Sequence, residues 1–157
     1  MTDGEEDGIA RSVAEGMYAL DRAARAAGVE IVEVATDFAR ARMTVRDDMC
    51  NSHGICHGGY LFLLADTAFA YACNSRNRAT VALSGSIHFS ASVPPGAVLT
   101  AEARAAHRAN RTGIYDVVVR VSDGVPVALF RGQSYRVDGE SVPGLNARLG
   151  RDPVDGT

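Results

Sequence analysis

The chain has 157 residues, 46% of them hydrophobic and 22% charged, with 16 Lys and Arg against 19 Asp and Glu for a net charge of −3. That length and apolar content fit one domain with its own core; the net charge gives no argument for a nucleic-acid partner, and no basic block suggests a membrane surface. Three cysteines, an odd number, do not make a disulfide framework, so free thiols in a reducing cytoplasm are expected.

Residues 1–8 are acidic and polar, unlike the basic and apolar start of a secretory leader, and are expected to be disordered. Residues 9–27 predict a first helix with Ile9, Val13, Met17, Leu20 and Ala24 on one face and Gly28 as its stop. From Val29 the period changes, giving one long or two short strands. Ala39, Ala41, Met43 and Val45 alternate with Arg40, Arg42, Thr44 and Arg46, as in a strand with one wet face. Asp47 to Cys56 reads as a polar loop. A very apolar helix follows, from His57 to about Ser75.

Four strand-like stretches come next. The first runs from about Thr80 to Phe89 and stops at Pro94-Pro95-Gly96. The second alternates Leu99, Ala101, Ala103 and Ala105 against Thr100, Glu102 and Arg104. In the third, Tyr115, Val117, Val119 and Val121 alternate with Asp116, Arg120 and Ser122. A Ser122-Asp123-Gly124 turn leads into the last, Val125 to Val137. Residues 138–157, rich in Gly, Pro and charge, are expected to be a flexible tail after a single domain spanning 9–137.

The apolar stretch from Gly58 to Asn74 falls short of the ~20 residues of a membrane span and carries Asp66, so it predicts a buried helix and no membrane partner. A helix that is apolar all round must be enclosed on most sides. A curved antiparallel sheet wrapped around one long central helix meets that demand, an α+β architecture.

Asp66 is the one charged residue of that helix, and an ionised carboxylate without a partner is costly to bury. It either faces a polar gap, for instance bonding Thr67, or has a function. His57-Gly58-Gly59 opens the same helix, where first-turn N–H groups lack intrahelical partners and the dipole is positive, so an oxyanion is welcome. A glycine turn that only reverses the chain is the alternative. Gly58 and Asp66 are eight positions apart, or ~12 Å along a helix, so no single carbonyl touches both in one chain. If both act on one carbonyl, the second comes from another subunit, and two antiparallel helices about a two-fold would supply it.

The run Asn51-Ser-His-Gly-Ile-Cys-His-Gly-Gly-Tyr-Leu-Phe-Leu-Leu-Ala-Asp-Thr-Ala-Phe-Ala-Tyr-Ala-Cys-Asn-Ser75 resembles the signature of PaaI-type hotdog thioesterases of phenylacetate degradation. Thr112-Gly-Ile-Tyr-Asp116 and Val127-Ala-Leu-Phe-Arg-Gly-Gln-Ser-Tyr-Arg136 resemble that family's late strands, and the likeness runs from about residue 9 to 137. The resemblance implies the hotdog fold and hydrolysis of aryl or phenylacetyl-type acyl-CoA, with no cofactor. It also implies a homodimer, commonly a dimer of dimers (a homotetramer). Carried over, the acid is Asp66, as nucleophile or general base. The polarising amide is Gly58 beside His57, Asn51 holds the water and Ser84 is a supporting hydroxyl. Gly59, Tyr60, Phe62 and Thr67 are expected around the substrate, and Tyr60, Phe62, Phe69 and Tyr71 form either an aromatic pocket or plain core. Where the family often carries Arg-Pro-Gly, this chain reads Ser90-Ala-Ser-Val-Pro-Pro-Gly96.

Other chemistries fit less well. Cys50, His53, Cys56 and His57 lie close together, but their spacing matches no regular zinc site, so no metal is expected. Cys56 has no oriented base, and there is no Gly-x-Ser-x-Gly elbow. A hotdog acyl dehydratase using His57 and Asp66, or a non-catalytic acyl-CoA binding module, are the remaining alternatives.

Overall fold

The long first helix expected over residues 9–27 is two helices in the computed structural model, which describes residues 1–122 and 124–153. The first, α1 (Asp3–Leu20), begins six residues before the expected start. Its early start follows from local chemistry: the Glu5 carboxylate accepts from the Thr2 N–H at 2.8 Å, and Asp3, Glu5 and Glu6 sit at the positive end of the dipole. Asp21 breaks the run and caps α2 (Arg22–Ala26) by accepting from the Ala24 N–H at 3.0 Å. The break rotates Leu20 off the shared face, and it is 80% exposed.

Two short strands follow, β1 (Glu30–Ala35) and β2 (Phe38–Thr44), joined at Asp37, whose φ of 58° marks a tight turn. The apolar helix is α3 (Gly58–Cys73). The meander is β3 (Thr80–Phe89), β4 (Val98–Arg108), β5 (Thr112–Val121) and β6 (Pro126–Arg136). The six strands form one antiparallel sheet in the order β1-β2-β4-β5-β6-β3, so β1 and β3 are its edges. Asp123, in the expected Ser122–Gly124 turn, lies outside the described residues.

The alternation read from the sequence is the alternation of burial. Ala39, Ala41 and Met43 of β2, Leu99, Ala101 and Ala103 of β4, and Tyr115, Val117 and Val119 of β5 face the core. Four of these are alanines on adjacent strands, and their small side chains let α3 lie close across β2, β4 and β5. From α3, Leu61, Leu64, Ala65, Ala68, Phe69, Tyr71 and Ala72 are buried. Burial of each large side chain among them contributes about 1.5–3 kcal/mol. No helix among the described residues is long and apolar enough to cross a membrane.

The end of α3 is fixed by asparagines. Asn74 donates to the Ala70 and Thr80 carbonyls and accepts from the Thr80 N–H, each at 2.9 Å, which turns the chain into β3. Asn77 holds the segment after β6: it accepts from the Val142 N–H and donates to Asn146. The segment expected to be a flexible tail therefore docks over its described part, with a short helix, α4 (Leu145–Arg148), and Leu145 buried. Polar side chains far apart in sequence make that docking, and composition alone does not reveal it. Residues 154–157 of that segment lie outside the described residues.

Candidate active site

The loop before α3 is more ordered than its composition predicts. Asp47–Met49 forms a single 3-10 turn, and Cys50 then pairs with Cys56 in an isolated antiparallel bridge. Asn51 N–H donates to the Ile55 carbonyl and His57 N–H to the Met49 carbonyl, at 2.9 and 2.8 Å. Cys56 N–H is anchored to the Val93 carbonyl at 2.8 Å. The ribbon delivers His57 to the start of α3 in an extended conformation, as an N-cap requires.

There the His57 ring takes an active part. Its Nδ1 accepts from the Gly59 N–H at 2.9 Å, so the Gly59 amide is occupied. The Gly58 N–H has no acceptor among the described residues. Gly58 is therefore the free donor at the positive end of α3, and His57 orients the turn that presents it. The Phe89 ring lies against Gly58 so closely that a Cβ there would come within 2.9 Å of the ring.

Asp66 is half-buried in the middle of α3, and no hydrogen bond or ion pair to its carboxylate occurs among the described residues. Burial raises its pKa above the ordinary aspartate value, with no cation to oppose the shift. The Thr67 hydroxyl, a possible partner, instead donates to the Leu63 carbonyl at 2.7 Å. A carboxylate that has lost part of its water without gaining a partner among the described residues is a stronger base than a solvated one. Both groups lie on α3, ~12 Å apart by helix rise, as expected.

The other expected site residues divide. Asn51 Oδ1 accepts from the His53 N–H at 2.9 Å and so shapes the ribbon, while its NH₂ group has no acceptor among the described residues. Ser84 lies exposed on β3 next to a register shift, with no partner for its hydroxyl among the described residues. Phe62, 37% exposed, meets Phe130 edge-on at 5.3 Å above Gly85. Tyr60 is half-buried against the core. Phe69 and Tyr71 are plain core: Phe69 packs on Tyr115 and Phe130, and the Tyr71 hydroxyl donates to Asp21 at 3.1 Å. All three cysteines are free thiols, and no group of three or more His, Cys, Asp or Glu among the described residues is placed to hold a metal.

Clefts on the single subunit run between α1 and β1 and around the Arg76–Arg78 turn, away from Gly58 and Asp66. The β3 edge beside the site is open instead: Val81, Leu83 and Phe89 are 49%, 57% and 48% exposed.

A single apolar helix clasped by a curved antiparallel sheet, with a free amide at its start and a lone carboxylate at its middle, defines the class as a hotdog-fold thioesterase. The thioesterase superfamily matches residues 53–128. The acyl-coenzyme A thioesterase PaaI of Escherichia coli K12 is 46% identical over 126 residues, covering 80% of this chain and 90% of that protein. A solved structure of the E. coli PaaI protein from the phenylacetic acid degradation operon superposes with a TM-score of 0.84 at 44% identity, covering 85% of this chain and 97% of that one. A Streptococcus mutans protein solved with acetyl CoA bound aligns with a TM-score of 0.67 at 26% identity, covering 69% and 88%. The chain belongs to the PaaI-type thioesterases.

Proposed function

We propose that this thioesterase hydrolyses aryl or phenylacetyl-type CoA thioesters, ring-hydroxylated ones included, to the free acid and coenzyme A in phenylacetate catabolism. One observation supports the reading: a free Gly58 amide and a half-buried Asp66 with no partner among the described residues share one apolar helix, ~12 Å apart by helix rise. The names of the E. coli relatives support the acyl-CoA class and the phenylacetate setting.

In this mechanism the thioester carbonyl accepts from the Gly58 N–H of one subunit while Asp66 of a second copy removes a proton from water. Hydroxide adds to the carbonyl carbon, and the oxyanion that forms is held by the amide. Such a donor is worth about 3–4 kcal/mol as the charge develops. Collapse breaks the C–S bond, and the thiolate leaves as coenzyme A after taking a proton. The free NH₂ of Asn51 and the Ser84 hydroxyl hold the water. Direct attack by Asp66, through an anhydride that water then opens, gives the same products. Pairing of β3 edges forms the homodimer, and two dimers form the tetramer, in the cytoplasm.

The acyl group rests against Tyr60 and Phe62, and an aromatic acyl group gains about 0.5–1.5 kcal/mol from ring packing beyond its buried area. Measuring released thiol with a panel of CoA thioesters tests the reading. Phenylacetyl-CoA and its ring-hydroxylated forms are expected to show higher kcat/KM than palmitoyl-CoA. Preference for palmitoyl-CoA over every aryl-CoA would overturn the substrate class, and turnover without thiol release would favour a dehydratase.

A further inference from the structure

The ribbon that carries the chain to Gly58 holds two of the three cysteines in register. Cys50 faces Cys56 across an antiparallel bridge flanked by the bonds from Asn51 N–H to the Ile55 carbonyl and from His57 N–H to the Met49 carbonyl. That pattern makes Cys50 and Cys56 a non-hydrogen-bonded pair, in which the Cα atoms are about 4.5 Å apart and the side chains project from the same face. A disulfide needs Cα atoms about 4.4–6.8 Å apart, so the backbone already has the required span. In the reduced protein each sulfur lies instead near a local carbonyl, Cys50 Sγ at 3.7 Å from the Arg46 oxygen and Cys56 Sγ at 3.6 Å from the His57 oxygen.

We propose that Cys50 and Cys56 are a thiol–disulfide exchange site, oxidised by a low-molecular-weight disulfide to an intrachain bond that staples the ribbon beside Gly58. Cys50, the more exposed of the two, is the entry thiol. Its thiolate attacks one sulfur of the small disulfide, forming a mixed disulfide and expelling one small thiolate. Cys56 then gives its proton to solvent and attacks the Cys50 sulfur, expelling the second. One disulfide is consumed, two small thiols are released, and the protein loses two hydrogens. Burial, with Cys50 as a smaller cause, raises the Cys56 pKa, which suits Cys56 to the slower resolving step. Cys73 is pushed up to about 12 by burial and stays out of the exchange.

The bond would act on the site through its neighbours. Drawing the sulfurs together breaks both sulfur–carbonyl contacts, one of them to His57, whose ring sets the Gly58 turn. A misplacement of about 1 Å at a reacting group lowers rates by orders of magnitude. The consequence for turnover rests on the role proposed above for Gly58, whereas formation of the bond does not.

The test exposes the full-length protein to oxidised glutathione, then measures intact mass, free thiols after unfolding, and thioester turnover. The expected product has lost the mass of two hydrogens, retains one free thiol of three, and turns over about tenfold or more slowly, the scale of a displaced oxyanion donor. Dithiothreitol should restore all three readings. Cys50→Ser should keep basal turnover, gain no cross-link and be insensitive to the oxidant. A persistent glutathione adduct, a cross-link that survives in Cys50→Ser, or cross-linked protein with undiminished turnover would each overturn the proposal.

Discussion

Asp66 loses part of its water in α3 without gaining a partner among the described residues, and the consequences for stability and for turnover run in opposite directions. Its folded-state pKa is raised, so between the ordinary aspartate pKa and the raised value the folded chain holds more protons than the unfolded one. Stability contributed by the protonated form is present below that window, is lost as pH rises through it, and stays lost above. Asp66→Asn removes the penalty and is expected to melt no lower than the parent near neutral pH, the difference fading on acidification. Turnover needs the ionised base, so the acidic limb of kcat/KM against pH should lie above the ordinary aspartate range. The same variant should lose ~10²–10⁴-fold in kcat. Thermal melts and pH–rate profiles check both, and a strongly destabilised Asn variant or near-normal turnover would remove Asp66 from the role proposed. Gly58 makes a second prediction. A Cβ there would press on the end of the Phe89 ring at 2.9 Å, and a ring can swing where backbone cannot. Gly58→Ala should therefore fold, with kcat lowered by about tenfold or more as the amide is displaced or covered. Phe89→Leu added to it should recover part of the loss.

Among the elements, β3 is the one left unfinished by the single chain. It is a ten-residue edge strand, and neither face is buried over its length. Native proteins rarely leave an apolar edge of that length open, because its unpaired backbone groups recruit another strand. Leu83→Lys places a charge on the edge and is expected to shift the protein to monomer in sedimentation while circular dichroism stays unchanged. Turnover should fall with the dimer fraction; an intact dimer with this variant would move the interface elsewhere. The bounds of β3 were legible as a strand-like stretch ending before Pro94-Pro95-Gly96, and the inward faces of β2, β4 and β5 because period-2 alternation is written residue by residue. The apolar enclosure of α3 was legible for the same local reason. The break at Asp21 was not, since the helical period continues across it and only a cap bond decides the matter. Nor was the occupied Gly59 amide, which depends on the rotamer of His57. The docking of residues 142–146 onto Asn77 was hidden too, because its partners are 65 to 69 positions apart.

At the scale of the whole molecule, helix geometry bears on how many chains the proposed site needs. Gly58 and Asp66 lie on the same rigid helix, about 12 Å apart at 1.5 Å per residue, and no side-chain rotation closes that gap onto one carbonyl. A two-fold axis relating two α3 helices turns the separation into complementarity, since the start of one helix comes opposite the middle of the other. In the dimer proposed above, two sites would form, each using Gly58 of one copy and Asp66 of its partner. Subunit mixing tests this directly. Asp66→Ala and Gly58→Val are each expected to be inactive as homodimers, the first lacking the base and the second lacking access to the amide. After full exchange of equal amounts, half of the dimers are mixed, and each mixed dimer has one of its two sites intact. Activity should return to about one quarter of the parent per subunit, as reciprocal pairing in an isologous dimer requires. Mass spectrometry of the intact dimers establishes that exchange took place. If mixed dimers form and turnover stays at the level of the two inactive homodimers, Gly58 and Asp66 do not serve one carbonyl, and each chain must complete its site with other groups.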